Sequence, residues 1–109
     1  MTRDDMHVVM YTTMKYLYDC LKGGKTPDPT KFSANALQIN EKYWTAIVAD
    51  LVNRKYIRGV TVFHNPDGDT VQVVKPCVTI EGVEFMMENS LMRRALEYIK
   101  EAKSAIPFA

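Results

Sequence analysis

The sequence predicts a mixed α+β fold in a single domain, and three observations predict it. From Asn40 to Tyr56 the run NEKYWTAIVADLVNRKY places Trp44, Ile47, Val48, Leu51 and Val52 at the three-and-four spacing of one buried helix face. The next run, IRGVTVFHNPDGDTVQVVK, reads as two β-branched strands around a loop of Asn65, Pro66, Asp67 and Gly68, residue types that favour tight turns. Helical patterns lie on both sides of this unit. Helix, turn, helix and two-stranded β-wing, followed by C-terminal helices, is the ground plan of a winged helix, organised around residues 40–75.

The first helix is expected from Asp5 to about Lys22. Met6, Val9, Met10, Thr13, Leu17, Cys20 and Leu21 fall in one stripe at 100° per residue, and Gly23 and Gly24 end it. Tyr11, Met14 and Tyr18 make a flanking strip that another helix can cover. Pro27 and Pro29 make residues 25–30 a loop. A short second helix is predicted from Thr30 to Leu37, with Phe32, Ala36 and Leu37 as core contacts. Asn40 is the expected N-cap of the third helix, with Ile39 placed to staple onto Trp44. The strands are predicted at 57–63 and 70–75. Beyond them Thr79 is a candidate N-cap, Ile80, Val83 and Met87 share a face, and Asn89 can end one helix while Ser90 caps the next. The last helix carries Leu91, Met92, Ala95, Leu96, Ile99, Ala102 and Ile106 on one face. Arg93, Arg94, Glu97, Lys100 and Glu101 lie on the other, paired in sign at helical spacings.

Length and composition narrow the function classes. A chain of 109 residues has room for one core, and 47% hydrophobic with 25% charged residues is globular composition rather than disorder. Residues 1–78 hold the helices and wing, and residues 79–107 a C-terminal helical extension. No apolar run approaches the roughly 20 residues that cross a bilayer, and MTRDDMHVV lacks the apolar core of a secretory leader. A cytoplasmic protein without membrane association is expected. Cys20 and Cys77 lack CxxC spacing and read as reduced, structural thiols.

The formal net charge is only +1. Dedicated nucleic-acid binders usually carry a basic surplus, because each neutralised phosphate releases counterions. A DNA site would have to come from local clustering. The outward face of the third helix, with Lys42, Thr45, Ala46, Ala49 and Asn53, has small residues that allow close approach to a groove. Lys42, Thr45 and Asn53 could reach base edges or phosphates, with Arg54 and Arg58 holding the backbone. Against this, Glu41 and Asp50 border the face, and Asp67 and Asp69 occupy the wing tip. The Asn65, Asp67, Asp69 spacing resembles a calcium loop, but the glycine comes two positions early and Pro76 stands where a bidentate glutamate is needed. No metal site is expected. No cofactor-binding pattern, Gly-rich phosphate loop, paired-histidine zinc motif or nucleophile elbow is present, so an enzyme is not expected.

Two stretches carry a resemblance. The C-terminal run VTIEGVEFMMENSLMRRALEYIKEAKSAIP is similar to the ending of YjcQ-like proteins, with Thr79, Gly82, Glu88, Asn89, Ser90, Lys100, Lys103, Ile106 and Pro107 at the matching positions. The central LVNRKYIRGV resembles that family's helix-to-wing junction at Leu51, Tyr56, Ile57, Gly59 and Val60. The resemblance spans roughly residues 11–107 and implies a small winged-helix protein of Gram-positive bacteria and their phages or prophages. It carries over no catalytic or DNA-contact residue. Two functions are therefore expected in competition. One is a DNA-binding winged helix serving as a phage or prophage transcriptional regulator. The other is a winged-helix protein-interaction module without DNA binding. In either case the wide apolar face of the last helix is expected to pack on Tyr11, Met14 and Tyr18, with any surplus supporting a homodimer.

Overall fold

The structure, a computed structural model, describes residues 1–102. Among them are five helices and one antiparallel two-stranded sheet: α1 (Met6–Gly23), α2 (Ala34–Leu37), α3 (Glu41–Asn53), β1 (Ile57–Asn65), β2 (Gly68–Val78), α4 (Ile80–Glu88) and α5 (Ser90–Glu101). The fold is α+β, in an order compatible with the winged-helix plan. Residues Lys103, Ile106 and Pro107, part of the predicted C-terminal pattern, lie outside the described residues.

The hub of the core is α1, which packs against α3, α4, α5 and β2. Its middle is buried nearly all round: Val8, Val9, Tyr11, Thr12, Thr13 and Met14 are all buried, while the predicted stripe members Met6 and Leu21 are exposed. A helix surrounded by partners has no solvent face to display, so its pattern is not amphipathic. Asp5 caps it by accepting from the His7 N–H at 3.0 Å. Gly24, at φ +65°, closes it with its own N–H on the Leu21 carbonyl and the Lys25 N–H on the Cys20 carbonyl. Burial raises the Tyr11 phenol above its ordinary pKa, with Lys15 opposing and Asp19 adding to the shift.

Within this hub Thr12 returns its hydroxyl to the Val8 carbonyl at 2.8 Å, but the buried Thr13 hydroxyl has no hydrogen-bond partner among the described residues. An unpaired buried hydroxyl costs about 1–3 kcal/mol, and valine has nearly the same shape without it. Thr13→Val is expected to raise stability by about 1 kcal/mol. Urea unfolding checks this, and a lowered midpoint would show that the hydroxyl is paired in solution.

The second helix is shorter than predicted. Residues 28–33 form turns instead, because the Asp28 carboxylate accepts from both the Thr30 N–H at 2.9 Å and the Thr30 hydroxyl at 2.7 Å. Those two bonds hold the Asp28 carboxyl below its ordinary pKa. Ser33 is the actual N-cap of α2, accepting from the Ala36 N–H at 3.2 Å. Phe32 still reaches the core and meets Trp44 edge-on, with ring centroids 5.1 Å apart. Two contacts with no sequence signature tie the N-terminus down. The Arg3 guanidinium donates to the Leu37 and Gln38 carbonyls at 2.7 and 3.3 Å, and the Tyr43 hydroxyl donates to the Asp4 carbonyl at 2.7 Å.

Both strands run further than predicted, to a two-residue turn of Pro66 and Asp67 with Asn65 opposite Gly68. Most of the hairpin projects into solvent, and only Ile57, Val60, Pro76 and Val78 at its base are buried. The register slips there: Arg58 pairs with Cys77 but Val60 pairs with Val73. Gly59 sits in the slip at φ +79°, so close to β2 that a Cβ would lie 1.8 Å from the Lys75 carbonyl oxygen.

A second close approach joins α3 to α4. Lys55 adopts φ +63° and, with Tyr56, ends α3 through N–H bonds to the Val52 and Leu51 carbonyls. The Thr79 hydroxyl donates to the Lys55 and Tyr56 carbonyls, at 2.6 and 3.0 Å, and accepts from the Gly82 N–H at 3.0 Å. The predicted Thr79 cap is therefore also a tie between two helices. With Gly82 seated on the Tyr56 carbonyl, α4 turns Gly82 and Met86 inward and stacks Phe85 on Tyr56 at 4.5 Å. The face proposed for burial turns out: Ile80 is 76% and Met87 54% exposed, with Val83 half-buried. The break before α5 is made by Asn89, whose side chain accepts from the Leu91 and Met92 N–H groups, so Ser90 is the first helical residue rather than the cap. Met92 and Ala95 are fully buried, and Leu96 and Ile99 are half-buried at a groove with Tyr11.

Candidate binding cleft between α3 and the hairpin

The start of α3 is held by Asn40, whose side-chain oxygen accepts from the Lys42 and Tyr43 N–H groups at 2.8 and 3.2 Å. Its apolar stripe, Trp44, Ile47, Val48 and Leu51, goes into the core as the periodicity predicts. The opposite face is narrower than expected. Ala49 is buried at 1% exposure and Thr45 is half-buried, with β1 and β2 packed on α3, while Val52 of the predicted stripe is half-buried against the core. What remains open to solvent is Lys42, Ala46, Asp50 and Asn53.

Between the first half of α3 and the hairpin tip lies an open cleft of about 980 Å3. Glu41, Lys42, Thr45 and Ala46 form its helical wall, and Asn65 to Val71 with Val73 form the other. The tip is tied across the strands: His64 Nδ1 lies 2.8 Å from Asp69 Oδ1, and the Asn65 side-chain amide donates to the Thr70 hydroxyl at 3.1 Å. Three carboxylates, Glu41, Asp67 and Asp69, line the cleft against one ammonium, Lys42. Exposed carboxylates on facing walls attract cationic groups and repel phosphates, most strongly at low ionic strength.

The five residues singled out for DNA contact do not line one cleft. Lys42 and Thr45 line the cleft, Thr45 only half-exposed, and Asn53 is exposed at the far end of α3. Arg54 caps α3 and faces a different groove, beside His7 of α1 and Phe85 of α4. Arg58 lines a third cavity with the end of α1 and the bulged strand. The sequence pattern missed Lys25 and Lys75, which the fold brings to that same cavity. The only hint was the Gly59 and Pro76 pair, a combination suited to a bulge but not diagnostic of one. Among the described residues no group of three or more His, Cys, Asp or Glu side chains could hold a metal ion, and no helix is long and apolar enough to cross a membrane.

A family model described as YjcQ protein matches residues 11–105. Comparison with curated proteins and with solved structures returns no match.

Proposed function

The chain belongs to the YjcQ family, and from that premise we propose that it is a winged-helix interaction module whose α3–wing cleft docks a basic segment of a protein partner. The observation that carries this reading is the cleft lining of Glu41, Asp67 and Asp69 against Lys42 alone. A duplex laid in the same cleft would bring its phosphates against those carboxylates, with Arg54 and Arg58 turned to other surfaces. The projecting hairpin and the helix wall suit an extended or helical peptide whose Lys or Arg side chains reach both walls.

The test pans a random-peptide display library against the immobilised chain, beside a salt series with pooled random DNA duplexes. Enriched peptides should be rich in Lys and Arg. Their affinity should fall about tenfold or more when Asp67→Lys is combined with Asp69→Lys, since like charges then face each other. The competing DNA reading makes the opposite forecast. Duplex binding by the wild type that weakens with Lys42→Ala and strengthens at low salt with Asp67→Asn and Asp69→Asn would replace the peptide reading with a DNA-binding one.

A further inference from the structure

The cavity that takes Arg58 away from the α3 face has a chemistry of its own. It encloses about 520 Å3 between the end of α1, the loop after it and the bulged base of the hairpin. That volume falls within the range of small-molecule sites. Its charged lining consists of Lys25, Arg58 and Lys75, with no carboxylate among the lining residues. None of the three forms an ion pair among the described residues, although Lys15 and Lys22 nearby on α1 both find Asp19. Among the described residues the Arg58 guanidinium has only the Cys77 sulfur, at 3.8 Å. Three cations from segments far apart in sequence therefore line one cavity with no carboxylate among its lining residues, and such a cluster gains most from a bound anion.

The negative end of α1 is partly neutralised by its own closure. Its Cys20 and Leu21 carbonyls are taken by the Lys25 and Gly24 N–H groups. Much of the remaining wall is apolar, with Leu21, Pro27 and Pro76 beside the cations and Thr26 and Cys77 as its polar members. Inorganic anions alone would leave that wall unused. The bulge builds the site, because the slip opposite Gly59 puts Lys75 and Pro76 beside Arg58.

We infer that this cavity binds a nucleotide-sized phosphate ester, its phosphates held by Lys25, Arg58 and Lys75 and its flat body laid against Pro27, Pro76 and Leu21. The site shares no lining residue with the α3–wing cleft, so the two readings stand or fall separately.

Calorimetric titration of the full chain tests it, with three probes: an equimolar mixture of the four ribonucleoside diphosphates, inorganic pyrophosphate, and a short single-stranded DNA. The diphosphates should bind, and Arg58→Gln with Lys75→Gln should weaken them about tenfold or more without loss of fold, since both side chains are exposed. Lys100→Gln, outside the cavity lining, should change nothing. Alkylation of Cys77, a half-exposed thiol in the cavity wall, should slow when the diphosphates are present. No binding of the diphosphates at millimolar concentration, or binding indifferent to the double variant, overturns the inference. Pyrophosphate binding as tightly as the diphosphates overturns the role of the apolar wall. Variant-sensitive binding of the single strand alone overturns it in favour of a nucleic-acid path.

Discussion

Gly82→Ala is expected to lower stability by on the order of 3 kcal/mol, although alanine is the better helix former by about 1 kcal/mol. The added Cβ would lie 2.2 Å from the Tyr56 carbonyl oxygen and 2.9 Å from a Val78 methyl. A backbone oxygen cannot swing aside as a side chain can, so the first turn of α4 must lift. Lifting it breaks the Thr79 tie to Lys55, Tyr56 and Gly82 and parts Phe85 from Tyr56. The steric term outweighs the propensity term. Gly59→Ala meets two penalties of the same kind, a 1.8 Å approach to the Lys75 carbonyl and a φ of +79°. For a chain of about 100 residues each kcal/mol is worth roughly 4–8 °C in Tm. Thermal unfolding by circular dichroism should show losses of about 10 °C or more in each variant. A Tm within about 2 °C of wild type would mean that these backbone contacts are looser in solution.

Met92→Asp should be more damaging still. Met92 is fully buried on α5, which packs on both α1 and α4. Losing a buried side chain of that size removes roughly 1.5–3 kcal/mol. A carboxylate left there without a partner adds several more, or must take up a proton to avoid it. The sum rivals the 5–15 kcal/mol that holds a domain of this kind together, so the variant should be unfolded at neutral pH. A cooperative native-like melt would show that α5 does not dock as described. Ile99→Asp sits at the half-buried end of the same face and should cost far less. Its solution mass speaks to the homodimer proposed for this helix: a fall from dimer to monomer supports it, and a wild type already monomeric removes it.

The C-terminal resemblance acquires a physical meaning at the α3–α4 joint. Thr79 and Gly82 stand where a hydroxyl must cap one helix while tying another, and where no side chain fits. Asn89 is there because one side-chain oxygen serves two N–H groups at the head of α5. In this chain these residues bear on the fold, and a fold does not fix a function.

Local chemistry was readable from the chain alone wherever neighbours in sequence settle the outcome. The Asn40 and Thr79 caps, the Gly24 stop, the buried stripe of α3 and the Pro66–Asp67 turn depend on residues within a few positions of one another. Periodicity also located α5, because one of its sides stays in water. It located α1 and α4 as well, but not how far round α1 burial extends, since four elements enclose its middle, nor which side of α4 turns inward, since that follows from the fit of Gly82 on a carbonyl 26 positions earlier. The spread of the candidate residues has the same cause. Lys42, Arg54 and Arg58 look close together on a helix and strand taken alone, yet the packing of α1, α4 and the bulged hairpin places them at different cavities. Capping and turn formation act over a few bonds, so the sequence determined them. Which charged groups meet across a cleft depends on how whole elements pack, and only the tertiary structure decided that.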